Sequence, residues 1–163
     1  MPTVTVDAFG NESSDKLDAY SLLVTASTDA MKNTTYRKWD YLHLQPVMMT
    51  DINGNRTATV LSPFGEVAAT ATMGKPGELL GGSLDGLKDD GDLSLAVLDD
   101  FYNHPTQASA LALLGAASQR VLRSRHTCQL RGTSESVTPR WEAELTRVSH
   151  VHSEPSELSL IHI

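Results

Sequence analysis

NESSDKLDAYSLLVTASTDAMKN, residues Asn11 to Asn33, is the stretch on which the fold turns. Leu17, Tyr20, Val24, Ser27 and Met31 fall at helical spacing, with Leu23 and Ala30 beside them. Ser13 or Ser14 can cap the start, Asp15 and Asp18 suit the positive end of the dipole, and Asn33 can stop the element. Against this, LLVTAST inside the stretch carries β-branched residues that suit a strand. The spacing predicts a helix.

On either side the pattern is extended. TVTV (3–6) alternates and reads as a short strand. YRKWDYLHL (36–44) alternates too, with Trp39, Tyr41 and His43 on one face, and Pro46 marks that strand as an edge or a bulge if it continues. DINGN (51–55) contains Asn-Gly, the strongest short hairpin signal, because both residues tolerate positive φ. RTATVL (56–61) is the return strand, Pro63 and Gly65 turn the chain, and EVAATATM (66–73) is a third strand. Residues 36–73 therefore predict a β-meander. No internal repeat and no low-complexity segment is read from the sequence.

Residues 74–92, GKPGELLGGSLDGLKDDGD, hold six of the eleven glycines and predict a long connecting loop. DLSLAVLDDFYN (92–103) suits a helix capped by Asp92 or a strand. Pro105 fits the first turn of the next helix, PTQASALALLGAASQRVLRSR, where Leu111, Leu114, Ser118, Val121, Leu122 and Arg125 trace one stripe. RWEAELTRVSHVH (140–152) alternates and predicts a strand.

The chain has 163 residues, 40% hydrophobic and 6% aromatic, enough for one domain with a core of Leu, Val, Ala and Met. Its apolar runs are too short to span a bilayer, and MPTVTVDAFGNESS is not a secretory signal, so a cytoplasmic or virion location and no membrane are expected. Asn-x-Ser/Thr triplets at Asn11, Asn33 and Asn55 then read as chance matches. The lone Cys128 cannot form an internal disulfide. The net charge is −7, yet residues 120–147 carry six arginines against three glutamates. RVLRSRHTCQLR (120–131) is the one basic element, and Arg120, Arg123, Arg125 and Arg131 are the residues expected to meet nucleic acid or an acidic protein partner. The bland alternative pairs these arginines with the chain's own carboxylates.

The remaining motifs fail on chemistry. DINGNRTATVLS (51–62) places Asp51, Asn53 and Asn55 like a calcium loop, but Arg56 stands where glycine is needed and Ser62 where a bidentate glutamate should close the cage. The glycine-rich loop matches no phosphate-binding pattern and is net acidic, and GGSLDG (81–86) misses the nucleophile-elbow spacing. Asp85, Asp89, Asp90, Asp92, Asp99 and Asp100 have nothing to make them converge on a cation. His150 and His152 share a strand parity with Glu142 and Glu144, but two imidazoles are not a zinc site. Cys128, beside His126 and several arginines, is weighed as a nucleophile and reads as packed or incidental. No catalytic constellation, no metal site and no cofactor is expected.

The last six residues, LSLIHI (158–163), match residue for residue the translation of a transposon-end sequencing adapter in one reading frame. They are expected to be technical, which implies an environmental or viral metagenomic reading frame. The expected organisation is a single domain over 1–157 and a non-native tail over 158–163. The fold expected is α+β, an antiparallel β-meander with two or three helices packed on one face. The role expected is a non-enzymatic structural or interaction protein, such as a coat-like phage or viral subunit that forms homo-oligomers and turns its arginine segment toward RNA. The alternative is a small-ligand-binding domain or minor enzyme using loop 74–92 as a lid.

Overall fold

The computed structural model describes residues 3–78, 80–87, 93–124 and 141–147, and the backbone of 158–161. Ten strands form one sheet in strict chain order. They are β1 (Thr3–Val6), β2 (Glu12–Leu17), β3 (Val24–Thr28), β4 (Thr34–Asp40), β5 (Gln45–Thr50), β6 (Arg56–Leu61), β7 (Val67–Met73), β8 (Gln119–Ser124), β9 (Trp141–Arg147) and β10 (Leu158–Ile161). Every neighbouring pair is antiparallel. Two short helices, α1 (Leu95–Asn103) and α2 (Gln107–Leu114), lie between β7 and β8.

This overturns the α+β expectation: the molecule is one long antiparallel sheet with a small helical insertion. The helix expected over 11–33 is instead β2, a turn, β3 and a second turn. Asp18 and Asp29 open those turns, so the β-branched residues between them run extended. The meander is present but starts earlier, and YRKWDYLHL is broken after Asp40. Pro46 faces Trp39 where the register shifts, a position that spares the missing N–H. The long helix expected from Pro105 ends at Leu114, because Gly115 adopts φ 59 and caps it, and β8 follows. Ser94 rather than Asp92 caps α1, and Thr106 caps α2.

A 22-residue repeat runs through the sheet, which corrects the reading of no repeat. Residues 7–28, 29–50 and 51–72 share Asp at the first position, Asn at the fifth and Thr at the last. The backbone repeats with them. Register shifts fall at Lys16/Leu17, Lys38/Trp39 and Val60/Leu61, each one 22 residues after the last. Gly10, Lys32 and Gly54, at the fourth position, all have positive φ. Each repeat is thus one up-and-down hairpin stacked beside the next.

Burial rises along the sheet. All four residues of β1 are exposed, whereas β8 and β9 supply most of their residues to the interior. There Leu122, Trp141, Ala143 and Leu145 meet Leu98 and Phe101 of α1 and Ala110 and Leu114 of α2. Tyr102 stacks on Trp141 at 5.5 Å. Each large side chain fully buried here contributes about 1.5–3 kcal/mol. The opposite face of β6–β9 is polar, with Thr57 opposite Thr72, Thr59 opposite Thr70, and Gln119 opposite Thr146.

Candidate functional site

The turns repeat a single chemistry. At one end of the sheet, the Asp7 carboxylate accepts from the Phe9 and Asn11 backbone N–H groups (2.8 and 2.9 Å), and the Asn11 side-chain amide donates to it at 2.7 Å. Asp51 accepts the same set from Asn53 and Asn55, and Asp29 accepts from the backbone and side chain of Asn33. The asparagine amide, followed by these N–H groups, holds each carboxyl below the usual carboxylate range.

The turns at the other end, 18–23, 40–45 and 62–66, interlock. Tyr41 Oη donates to Asp18 at 2.7 Å, and its ring meets Tyr20 edge-on at 5.7 Å. The Gln45 amide donates to the Gly65 carbonyl at 2.8 Å. His43 Nδ1 lies 2.6 Å from Asp40 Oδ2, and its Nε2 lies 3.2 Å from the Pro63 carbonyl. Both partners are acceptors, so the doubly protonated ring fits best, and His43 is held above the usual histidine range by Asp40 first and Pro63 second. A ridge of apolar side chains crowns these turns: Tyr20, Leu22, Leu42, Leu44 and Phe64 are 59–79% exposed. A row of this kind is uncommon on a surface that meets only water.

Near the turn at 51–55 lies a concavity of about 880 Å³, whose lining includes Arg37, Met49, Arg56, Thr57, Glu78 and Leu80. Gly74, Glu78, Leu80 and Gly81, on the loop after β7, form one wall. Arg56 ties that loop down by donating to the Gly74 carbonyl at 3.0 Å, and Glu78 accepts from the Lys75 N–H. Gly81 has φ +85, and a Cβ there would stand 2.5 Å from the Thr72 carbonyl, so the wall depends on glycine.

Of the arginines singled out from the sequence, Arg120 and Arg123 lie on β8 and point to opposite faces. Arg120 is buried on the helix side and donates to the Leu113 carbonyl at 2.6 Å. Arg123 lies 2.9 Å from Glu142 and donates to the Val67 carbonyl at 2.9 Å. Arg125, Arg131, Cys128, His126, His150 and His152 lie outside the described residues, as do Asp89, Asp90 and Asp92. Among the described residues, no three His, Cys, Asp or Glu side chains gather as metal ligands. No helix among them is long and apolar enough to cross a membrane. The interlocked turns and the apolar ridge were not anticipated. Their signal was the recurrence of aspartate at 7, 18, 29, 40 and 51, eleven residues apart.

No protein-family model and no curated protein matches the chain. The fold is similar to part of the TcdB2-TccC3 crystal structure, with a TM-score of 0.61 and 21% identity over 91% of this chain. It is likewise similar to part of the Photorhabdus luminescens Tc holotoxin pore carrying a TccC3 point variant, with a TM-score of 0.59 and 17% identity over 91% of this chain. The chain spans 6% and 9% of the length of these two matched chains. At such identities the likeness is one of fold.

Proposed function

We propose that the chain is a non-enzymatic structural and interaction module: a length of repeat-built sheet that presents its turn ridge to protein partners within an assembly of Tc-holotoxin type. The observation that carries this reading is the ridge of Tyr20, Leu22, Leu42, Leu44 and Phe64, held rigid by the Tyr41–Asp18, His43–Pro63 and Gln45–Gly65 contacts. The fold likeness supports the setting, because comparable sheet occupies a small fraction of much longer chains. A coat-like viral subunit would use the same features, but RNA contact draws no support from Arg120 and Arg123, which engage the chain's own carbonyls and a carboxylate.

A module whose role lies in repeated sheet tolerates a change in repeat number. Removing residues 29–50 joins Thr28 to Asp51 in phase, and inserting a second copy of 29–50 extends the sheet by two strands. Both variants are expected to keep a β-type circular dichroism spectrum and a single melting transition. Collapse of both variants to unfolded chains would overturn the reading.

A second reading rests on the concavity beside the loop after β7. Its mixed lining of Met49, Met73 and Leu80 with Arg37, Arg56, Asp51 and Glu78 suits a small amphipathic ligand. A thermal-shift screen of fatty acids and nucleotides tests this, with Arg37→Ala expected to abolish any shift; no shift from either class rejects it.

A further inference from the structure

We propose that the concavity beside the 51–55 turn binds an apolar monocarboxylate, an acyl chain ending in a single carboxylate, and that Arg37 holds the carboxylate. The inference rests on the second reading above, in which this concavity is a ligand site, and adds the class of ligand and its anchor.

The floor of the concavity is a row across four strands. Arg37 of β4 is opposite Met49 of β5, Met49 is opposite Thr57 of β6, and Thr57 is opposite Thr72 of β7. All four line the space. Neighbouring strands lie about 4.8 Å apart, so the row is about 14 Å long, the span of an extended medium-length acyl chain. Met73 and Leu80 add apolar surface at the end remote from Arg37. Met49 is 44% exposed and Leu80 is 59% exposed, so such a chain would cover side chains that now meet water. Methionine adapts its shape to a flexible chain.

The polar end is set by which charges are already spent. Among the described arginines, Arg56 donates to the Gly74 carbonyl, Arg120 to that of Leu113, Arg123 to that of Val67 and to Glu142, and Arg147 to that of Ala117. Arg37 has no such partner: its part-buried guanidinium makes one hydrogen bond, from Nη1 to Ser27 Oγ at 3.1 Å. That bond orients the group. It leaves the Nε and Nη2 hydrogens, the pair that takes a carboxylate side-on, without a partner among the described residues. The carboxylates in the lining are engaged. Asp51 accepts from the Asn53 and Asn55 backbone N–H groups and the Asn55 amide, and Glu78 accepts from the Lys75 N–H. Arg37 and Arg56 balance Asp51 and Glu78. One carboxylate is therefore accommodated at Arg37, whereas the several charges of a nucleotide's phosphates would be repelled by Asp51 and Glu78.

Isothermal titration of the full chain with decanoate, decanol and decylamine tests the anchor. Decanoate is expected to bind saturably, and decanol about tenfold more weakly or worse. Arg37→Ala should weaken decanoate by about the same factor and leave decanol unchanged. Arg37→Glu should reject decanoate and prefer decylamine, a reversal that a misfolded variant could not produce. Equal binding of decanoate and decanol, a decanoate affinity indifferent to Arg37→Ala, or an Arg37→Glu variant without the reversal would each overturn the anchor and leave the concavity standing as a site for other amphiphiles. No binding by any of the three would overturn the inference, and silence from nucleotides as well would take the concavity reading with it.

Discussion

The sheet over β1–β5 and the sheet over β7–β9 share one topology and are held by different forces. Around β8 and β9, two helices cover one face and Leu114, Leu122 and Leu145 are wholly enclosed. Around β1–β5, Ala26 is the one buried hydrophobic residue, and order comes from ladders, bulges and carboxylate-centred turns. A bare hairpin is marginal in water, so the open region depends on being continuous with the covered one. Stability in such a protein is expected to be graded along the sheet rather than uniform.

The largest effect should come from the covered region. Leu122→Ala empties a site that is 1% exposed and is expected to cost about 2–5 kcal/mol by urea denaturation. Because the open strands lean on this core, their amides should lose exchange protection together with those of β8. If only β8 and β9 respond, the two regions are independent units and the dependence argued here is wrong.

A smaller change of opposite sign tests the turns. Lys32 holds φ 68 where the other two repeats place Gly10 and Gly54. Lys32→Gly should stabilise by about 1 kcal/mol, since a left-handed conformation penalises a side chain. The gain should appear as slower exchange in β3 and β4, with β8 little altered.

The pH response separates the two ends of the open region. Asp7, Asp29 and Asp51 are held below their ordinary value of 3.8, so their contribution is present above that value and is lost as pH falls through the lowered values. His43 is held above its ordinary value of 6.5, so its contribution is complete below 6.5 and is lost as pH rises through the raised value. Amide exchange followed against pH should show the 7–11, 29–33 and 51–55 turns loosening in acid. The ridge end, where Asp18 and Asp40 are also held low, should loosen in acid as well; only its turns at 40–45 and 62–66 should also loosen on the alkaline side, and His43→Gln should remove that alkaline limb.

The smallest effect expected is that of deleting 158–163. Strand β10 pairs with β9 at the end of the strand order, beyond the helix-covered core. The melting temperature should move by no more than a few degrees. Global unfolding on deletion would show that the core is incomplete without that strand.

Much of the sheet was legible in the sequence, but its period was not. Asn-Gly at 53–54 marked one hairpin, and the alternation of 140–152 marked β9. The helix read over 11–33 has a physical excuse. Leu17, Tyr20, Val24, Ser27 and Met31 are spaced by three or four residues and so mimic a helical face, although Leu17 lies in β2, Val24 and Ser27 in β3, and Tyr20 and Met31 in the turns on either side of β3. The decisive signal was in view and misassigned. The triplets at Asn11, Asn33 and Asn55 are 22 residues apart because each asparagine closes the same turn. Parity likewise separates two of the four arginines read as one basic element: on a helix Arg120 and Arg123 share a face, and on a strand they part. The ridge could not be foreseen without the period, since its five residues come from three turns that only stacking brings side by side.

Adjacent strands in a sheet rotate against one another by roughly 20–25°, so the eight steps from β1 to β9 turn the strand direction through roughly 160–200°. At that average the ribbon would amount to about half a turn of a screw. The side that carries the helices at one extremity would then look the opposite way at the other, and a straight, rigid ligand could lie against only a few neighbouring strands. Anything that follows the turn ridge from Tyr20 to Phe64 has to wind as it goes.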